Sequence, residues 1–388
     1  MRMLRGTALV AGTLLFTGCG VTNMWSDDGG DRAVPPSKLV DFNAVVNVNT
    51  LWREDFGGAD DHFLRLTPRV DAERVYLASH EGGVAAFDLA TGREVWQRTL
   101  KEPITGGPGV ADGLVAVGTK EGNVFAFDAE QGSARWRVRV SSEVLSAPAV
   151  GDGTVAARTG DGKLYALEAD DGEVRWVFDR EVPLLSLRGA STPLIANDIL
   201  YAGYDSGRMV ALELDSGEAL WEFRIAIPTG RSELERIVDI DSDITLVGGM
   251  LYGASYQGKV GAVSATLGQI DWTRDISSHA GLAVDEDHVY VVDEFDHIWA
   301  LARDTGNSVW KQEGLGARSL SPPALWNGLL VVGDYAGFVH FLDPGSGAFI
   351  ARGRVGDARI LVAPIGTDKG VIVYTSEGDL ALLTLRAP

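Results

Sequence analysis

The sequence predicts an all-β fold, an eight-bladed β-propeller built from four-stranded antiparallel blades. Three observations lead to this prediction. The 388 residues are 45% hydrophobic and include 48 glycines, a composition typical of a turn-rich β protein with a large core. One motif repeats with a period of about 40 residues. A tryptophan-bearing strand near the N-terminus has no blade of its own, which indicates how the ring closes.

The repeated motif is clearest in AFDAEQGSARW, residues 126–136, and returns as AFDLATGREVW at 86–96. Further copies begin at Ala166 and Ala211, weaker ones begin at Ala262 and Ala300, and the weak copy FLDPGSGAFIA at 341–351 has Ala351 where tryptophan is expected. The motif tryptophans lie 40, 40, 45, 51 and 38 residues apart, at Trp96, Trp136, Trp176, Trp221, Trp272 and Trp310. We expect the glycine to supply a positive φ, the acid to accept backbone hydrogen bonds, and the tryptophan to pack between neighbouring sheets.

Each repeat divides into four strands, as in SAPAV, TVAART, KLYALEA and VRWVF, which are separated by GDG, GDG and DDG turns. Eight third strands begin near Val84, Val124, Leu164, Met209, Val260, Ile298, Val339 and Leu380. Only seven fourth strands follow them, whereas Trp52 in VVNVNTLWREDF lies in an unassigned strand. We expect that strand to pair with the C-terminal blade, because this pairing removes two exposed sheet edges.

The N-terminus predicts export and anchoring. Two arginines precede an apolar run at about 7–16 that is too short to span a bilayer, so residues 1–18 are interpreted as a signal peptide. The only cysteine, Cys19, follows a small pair and resembles the lipobox of bacterial lipoproteins, which implies lipidation at Cys19. Gly20 then implies the outer membrane, since lipoproteins retained in the inner membrane typically carry aspartate there. The alternative is a nearby conventional cleavage that leaves a soluble periplasmic protein.

The composition after Cys19 separates a tether from the folded domain. Residues 19–43 are polar and include a stretch rich in glycine, proline and aspartate, so they are interpreted as a flexible tether. Residues 44–388 are assigned to the propeller. The formal charge of −20 argues against nucleic acid as a partner, because phosphates would repel it.

Motifs for catalysis or metal binding are incomplete. GASYQGKV at 253–260 ends in Val260 where a phosphate-binding loop needs serine or threonine. DIDSD at 239–243 lacks the later glycine and glutamate of a calcium loop. The six histidines have no paired ligand spacing, and no nucleophile elbow occurs. We therefore expect no cofactor, no metal and no enzymatic activity.

The motif also resembles the tryptophan-docking motif of quinoprotein dehydrogenases. Those enzymes hold pyrroloquinoline quinone beside calcium, commonly with a vicinal disulfide, which a chain with one cysteine cannot form. They are also usually longer, with inserts that build the quinone pocket. A dehydrogenase is therefore the less favoured alternative.

Two departures from the repeat indicate a binding surface, because core packing does not require them. The longer spacings contain VFDREVPLLSLRGASTP and EFRIAIPTGRSELERIVDIDSD, each between an outer strand and the next inner strand. The topology therefore sets both inserts on one rim, one blade apart. An apolar cluster with Arg188 opposite carboxylates is typical of a protein-binding hot spot. The alternative is that the leucines seal a blade junction and the acids pair internally.

The tryptophan-marked repeats, the lipobox, VPLLSLRGAS and ERIVDIDSD resemble the BamB family, lipoprotein subunits of the outer-membrane β-barrel assembly machinery. The resemblance covers the chain from Cys19 to Pro388. It implies a non-catalytic scaffold that aids delivery and insertion of outer-membrane proteins, and contact with a POTRA domain of the central subunit BamA. The implied contact residues are Leu185, Leu187, Arg188, Asp239 and Asp241. The competing interpretation is a propeller for another cell-envelope ligand.

Overall fold

The computed structural model describes residues 34–58, 64–179, 191–204, 207–224, 243–255 and 258–387. Pro36–Pro388 form one compact unit, and Met1–Pro35 form another, of which only the last two residues are described. None of the described ranges holds a helix that could span a lipid bilayer.

The described strands form eight antiparallel sheets of four strands each. The chain begins with β1 (Asn47–Asp55), which belongs to blade 8. Blade 1 consists of β2 (Arg69–Val70), β3 (Arg74–Ala78), β4 (Gly83–Asp88) and β5 (Glu94–Thr99). Blade 2 consists of β6 (Ile104–Ala111), β7 (Leu114–Thr119), β8 (Asn123–Asp128) and β9 (Ala134–Arg139). Blade 3 consists of β10 (Ala149–Gly151), β11 (Thr154–Arg158), β12 (Leu164–Glu168) and β13 (Val174–Phe178).

The remaining blades follow the same order. Blade 4 consists of β14 (Leu194–Ala196), β15 (Ile199–Tyr204), β16 (Arg208–Glu213) and β17 (Ala219–Arg224). Blade 5 consists of β18 (Thr245–Val247), β19 (Met250–Ala254), β20 (Val260–Ser264) and β21 (Ile270–Arg274). Blade 6 consists of β22 (Leu282–Val284), β23 (His288–Val292), β24 (Ile298–Ala302) and β25 (Ser308–Gln312). Blade 7 consists of β26 (Ala324–Trp326), β27 (Leu329–Gly333), β28 (Phe338–Leu342) and β29 (Phe349–Arg354), and blade 8 adds β30 (Ile365–Gly366), β31 (Val371–Tyr374) and β32 (Asp379–Arg386).

The two chain ends close the ring, as the sequence predicts. Strand β1 pairs antiparallel with β32, from Asn47 opposite Arg386 to Asp55 opposite Asp379. The Arg53 guanidinium lies 2.5 Å from the Asp379 carboxylate at one end of this pairing. Neighbouring first strands contact each other around the ring, so they form its inner wall and the fourth strands form its outer wall. The eight-bladed propeller is thereby confirmed.

The predicted hairpin turns have the backbone that their residues favour. Between β6 and β7, Asp112 and Gly113 have φ of 51° and 72°, and Asp152 and Gly153 between β10 and β11 repeat this with 48° and 69°. Two successive positive φ values define the tight turn whose twist matches antiparallel strands. The second strands that follow these turns, and the third strands after them, are almost fully buried and supply most of the core.

Seven tryptophans join one blade to the next. The indole Nε1 of Trp96 donates to the carbonyl of Ala129 at 2.9 Å, and a Cβ added to Gly132 would lie 2.5 Å from that ring. Gly132 has φ of +65°, so glycine is needed there both for the backbone and for the indole. The same pair of contacts, to a carbonyl and a glycine of the following blade, is made by Trp52, Trp136, Trp176, Trp221, Trp272 and Trp310.

The junction between blades 7 and 8 is built differently. In six blades an alanine on the third strand faces the tryptophan on the fourth, for example Ala86 opposite Trp96. Blade 7 reverses the sizes, because Phe341 faces Ala351 and both are fully buried. Blade 8 takes its third and fourth strands from opposite ends of the chain, so it has no hairpin glycine on which an indole could dock. Trp326 on the inner strand instead donates to the Thr367 carbonyl at 2.8 Å.

A segment before β1 packs along the outer wall of blade 7. This strap, residues 37–45, begins where Ser37 donates its backbone N–H to the Gly316 carbonyl at 2.9 Å. It ends where Val45 donates to the Ile350 carbonyl at 3.0 Å. Between these points Phe42 stacks on Phe349, with ring centroids 5.4 Å apart. Part of the stretch that the sequence analysis assigns to the tether therefore lies against the propeller.

A buried ionic network holds the strap. Arg318 binds the fully buried Asp334 at 2.6 Å and donates to the Ser37 carbonyl at 2.9 Å. Asp334 also contacts His340 Nε2 at 3.1 Å, and His340 Nδ1 accepts a hydrogen bond from Arg352. This arrangement requires a neutral imidazole that carries its proton on Nε2. Burial lowers the pKa of His340 below its ordinary value, against the attraction of Asp334 for the charged form.

Candidate partner-binding rim

The propeller has two rims with different loops. The insert rim carries the connections from each fourth strand to the next first strand, together with the turns between second and third strands. The hairpin rim carries the remaining turns, such as 112–113 and 129–133. The two inserts predicted from the sequence lie between a fourth strand and the next first strand, and the described strand ends on either side of them lie at the insert rim.

A side-chain cap at the end of the second strand shapes the insert-rim turns of blades 1, 2, 5, 6, 7 and 8. The Thr119 hydroxyl accepts the N–H of Asn123, and the Asp334 carboxylate accepts that of Phe338, four residues later in both cases. Ser79, Ser255, Asp293 and Thr375 do the same. The sequence analysis missed these caps, although a hydroxyl or carboxyl residue four positions before the third strand was a readable signal.

The turns are also bonded to the connections that enter their own blades. The residue after the cap donates its backbone N–H to a carbonyl of that connection, as His80 does to Gly58 and Lys120 to Pro103. Gly160, Glu294, Tyr335 and Ser376 make equivalent bonds. The insert rim is therefore a chain of hydrogen-bonded loops rather than a set of independent ones.

The first insert lies between β13, which ends at Phe178, and β14, which begins at Leu194. The second lies between β17, which ends at Arg224, and β18, which begins at Thr245. The predicted contact residues fall in 180–190 and 225–242, outside the described residues. They are Leu185, Leu187, Arg188, Asp239 and Asp241. The predicted lipidation site Cys19 also lies outside.

One hydrogen bond joins the exits of the two inserts. The backbone N–H of Thr192, just after the first insert, donates to the Asp243 carboxylate, just after the second, at 3.0 Å. Asp243 ends the DIDSD sequence, but the sequence analysis gave it no role of its own. Because a charge-assisted bond of this kind fixes two backbones relative to each other, the inserts leave the propeller from one shared base.

Buried polar groups lie at the junction between blades 3 and 4, on the side of the first insert. Arg158, at the end of β11, is only 3% exposed, and its guanidinium carbon lies 4.9 Å from the ring centroid of Tyr204 at the end of β15. Ser191, at the exit of the insert, is fully buried. The attraction between a cation and an aromatic ring is stronger when the cation is nearly buried, because little water competes for the cation.

Arg65 bridges connections that are not neighbours in the ring. It lies between blades 8 and 1, and it donates to the carbonyls of His279 at 2.6 Å and Ala280 at 3.3 Å, between blades 5 and 6. A direct bond between these connections must cross the central opening at the insert rim. Burial and the Arg65 charge both lower the pKa of His279.

The described residues offer few features of a catalytic or metal centre. Within those ranges no three histidine, cysteine, aspartate or glutamate side chains converge as metal ligands would. The aspartates and hydroxyls of the insert-rim turns accept hydrogen bonds from the backbone of their own turns, as Asp293 does from Phe295 and His297. These polar side chains therefore serve to fix the conformation of their own turns.

Known proteins resemble the chain over nearly all of its length. A family model described as outer membrane protein assembly factor BamB matches residues 80–312, more than half of the chain. The outer membrane protein assembly factor BamB of Pseudomonas aeruginosa is 44% identical over 380 residues, which cover 98% of each chain. That of Kangiella koreensis is 41% identical and covers 95% of each chain.

Solved structures give the same family and a wider fold relationship. BamB from Moraxella catarrhalis superposes with a TM-score of 0.80 at 26% identity, over 87% of this chain and 99% of that one. A quinohemoprotein alcohol dehydrogenase from Comamonas testosteroni superposes with a TM-score of 0.69 over 88% of this chain and 77% of that one. Because only 13% of the residues are identical, this likeness shows a shared fold alone. With these relatives and the closed ring of eight blades, the chain belongs to the BamB family of outer membrane protein assembly factors.

Proposed function

We propose that this protein is a non-catalytic subunit of the outer-membrane β-barrel assembly machinery that binds the POTRA region of a BamA-type partner through its insert rim. The observation that carries the proposal is the bond between Thr192 and Asp243, since it joins the bases of both inserts on one rim. The names of the relatives support the assembly role.

The proposed contact surface comprises Leu185, Leu187 and Arg188 from the first insert and Asp239 and Asp241 from the second. Leucine and arginine together give the apolar contact and the directed charge that characterise hot spots. The aspartates either meet the partner or hold their own loop, and Asp243 holds the shared base. The surface serves to hold the assembly machine together, and through it the protein aids delivery and insertion of outer-membrane proteins.

Anchoring at the periplasmic face of the outer membrane through a lipid on Cys19 completes the proposal. The propeller unit begins at its insert rim, because Ser37 is bonded to Gly316 in the connection between blades 6 and 7. Replacing Cys19 with alanine should release the protein from the membrane fraction and abolish acyl labelling, whereas unchanged fractionation would contradict the anchor.

The decisive experiment measures the affinity of the Arg188→Glu chain for a purified POTRA region. We expect a loss of about 2 kcal/mol or more, because the reversal removes a hot-spot cation and adds repulsion. Arg93→Glu, in the exposed turn between β4 and β5, is the matched control, because it changes the net charge equally and lies on the hairpin rim. Wild-type affinity of Arg188→Glu, or an equal loss in both variants, would overturn the proposed interface.

A further inference from the structure

Blade 6 departs from the repeat at the insert rim. At one equivalent position after the second strand, the described turns of blades 1, 2, 3 and 8 carry Glu81, Glu121, Asp161 and Glu377, and that of blade 7 carries Ala336. Blade 6 carries Phe295 at this position, and its side chain is 62% exposed. A large aromatic side chain at this position adds nothing to the core and leaves its apolar area free to contact a partner.

The turn that presents Phe295 is fixed from inside. The Asp293 carboxylate accepts the backbone N–H groups of Phe295 and His297, both at 2.9 Å. It also contacts the His297 ring at 3.1 Å and accepts the Trp299 indole N–H at 2.9 Å. Four interactions with one carboxylate hold the turn in one conformation. Less conformational entropy is therefore lost when a partner binds the Phe295 ring.

The next residue adds a second departure and a second brace. Where the other described turns have a glycine with positive φ, blade 6 has Asp296 with φ of 63°. This conformation is disfavoured for a residue with a side chain, although aspartate tolerates it better than most. The Asp296 carboxylate accepts the N–H groups of Ser319 at 2.7 Å and Leu320 at 2.8 Å. The strained residue therefore ties the Phe295 turn to the connection that enters blade 7.

The loops between the second insert and Phe295 form one continuous surface. The second insert enters blade 5, whose own turn begins at Ser255. Ser278 of the next connection donates to the Ser255 carbonyl at 3.2 Å, and Glu294 donates to the Ser277 carbonyl at 3.0 Å. Hydrogen-bonded loops thus run from blade 5 to the exposed ring, all on the insert rim.

We propose that Phe295 extends the partner-binding surface of the inserts to blade 6, where it enters an apolar socket flanked by basic groups on the same POTRA partner. This inference rests on the proposed function. The occupant follows from the hydrogen-bonded loops that connect this turn to the blade entered by the second insert, and from charge, because Glu294 is exposed beside the ring. A rigid, exposed aromatic residue near an interface is the type of side chain that contributes most to binding.

The test measures the affinity of the full chain for the purified POTRA region, with Phe295→Ala compared with Leu267→Ala. Leu267 is 63% exposed but lies on the hairpin rim, so it matches Phe295 in exposure and differs in place. We expect Phe295→Ala to weaken binding about ten-fold or more and Leu267→Ala to leave it within about two-fold. Melting temperatures of both variants should equal that of the wild type, because neither side chain is packed.

Including Arg188→Glu separates the two proposals. Loss of binding in Arg188→Glu with wild-type binding in Phe295→Ala overturns the inference about blade 6 and leaves the insert interface standing. Wild-type binding in both variants overturns the interface as a whole. Equal losses in Phe295→Ala and Leu267→Ala would show a general effect of exposed apolar groups and would also overturn the assignment. Weaker binding in Phe295→Ala alone supports the socket and removes Arg188 from the interface.

Discussion

Seven blade junctions are held by docked indoles, whereas the junction between blades 7 and 8 has Ala351 at the docking position. The comparison shows that the tryptophan and the hairpin glycine of the following blade work as one unit. Where the hairpin is missing because two chain ends meet, the indole is missing too. Phe341, Trp326 and the strap occupy blade 7 instead.

Removing one docked indole should have the largest effect. Trp96→Ala deletes a ring that is 5% exposed, together with its bond to Ala129, and should lower the free energy of unfolding by about 3–5 kcal/mol. Denaturant titration of the purified propeller measures this loss. Ala351→Gly provides the contrast, because no indole is removed there. A loss below about 1 kcal/mol in Trp96→Ala would show that the docking contact is dispensable.

Adding a methyl group beneath the same indole should have the next largest effect. Gly132→Ala forces a Cβ to 2.5 Å from the Trp96 ring at a φ of +65°, which combines backbone strain with overpacking. Gly113→Ala also places a side chain on a residue with positive φ, at +72°, but the added Cβ would have no atom within 4 Å. We expect Gly132→Ala to be less stable than Gly113→Ala by about 2 kcal/mol. Equal thermal stabilities would exclude the indole as the reason for glycine.

The reversed pair in blade 7 can be tested by restoring the usual order. Phe341→Ala should leave a cavity, and Ala351→Trp should overpack the junction, so each substitution alone destabilises the protein. If complementary size sets the pair, the double variant should recover about 1 kcal/mol relative to the sum of the single losses. A double-mutant cycle of unfolding free energies gives this coupling directly. Strict additivity would mean that the two positions are independent.

The ionic network at blade 7 predicts a pH dependence that indole docking does not. His340 is neutral in the folded protein because burial lowers its pKa, but it titrates near its ordinary value of about 6.5 when unfolded. As the pH falls below about 6.5, only the unfolded chain gains this proton, so stability declines by up to about 1.4 kcal/mol per pH unit.

His340→Gln should reduce the loss of stability per pH unit between about pH 6.5 and 5, because the substitution removes one titrating group while His279 remains. Equilibrium unfolding at several pH values measures this slope. The carboxylate of Asp334 contributes only at lower pH, since its pKa is held below its usual value. Burial acts in the opposite direction, but the hydrogen bond from neutral His340 and the charge and hydrogen bond of Arg318 outweigh it. An unchanged slope would contradict the assigned neutral state.

Periodicity made the blades predictable, and the exceptions were harder to predict. The tryptophan spacing and the orphan strand at Trp52 were sufficient for eight blades and their closure, because both depend on local sequence. Asp243 and Phe295 were missed, since their roles depend on which loops become neighbours after the ring forms. Most of the strap lies within the stretch that glycine- and proline-rich composition marks as a tether, because composition alone does not reveal the contacts of Leu39 and Phe42 with the propeller. Arg65 reaches a partner more than 200 residues away, which no local pattern encodes.

The pairing of β1 with β32 also has a consequence for export. Arg53 and Asp379, which meet at this seam, are 326 residues apart in the chain. Since the N-terminus predicts export, the first strand emerges from the inner membrane ahead of its partner and waits there until the last strand has followed. During that time β1 offers an unpaired edge that can pair with any extended chain nearby. Folding of this propeller is therefore gated by the arrival of its last strand, and a shielding chaperone is most valuable before the seam forms.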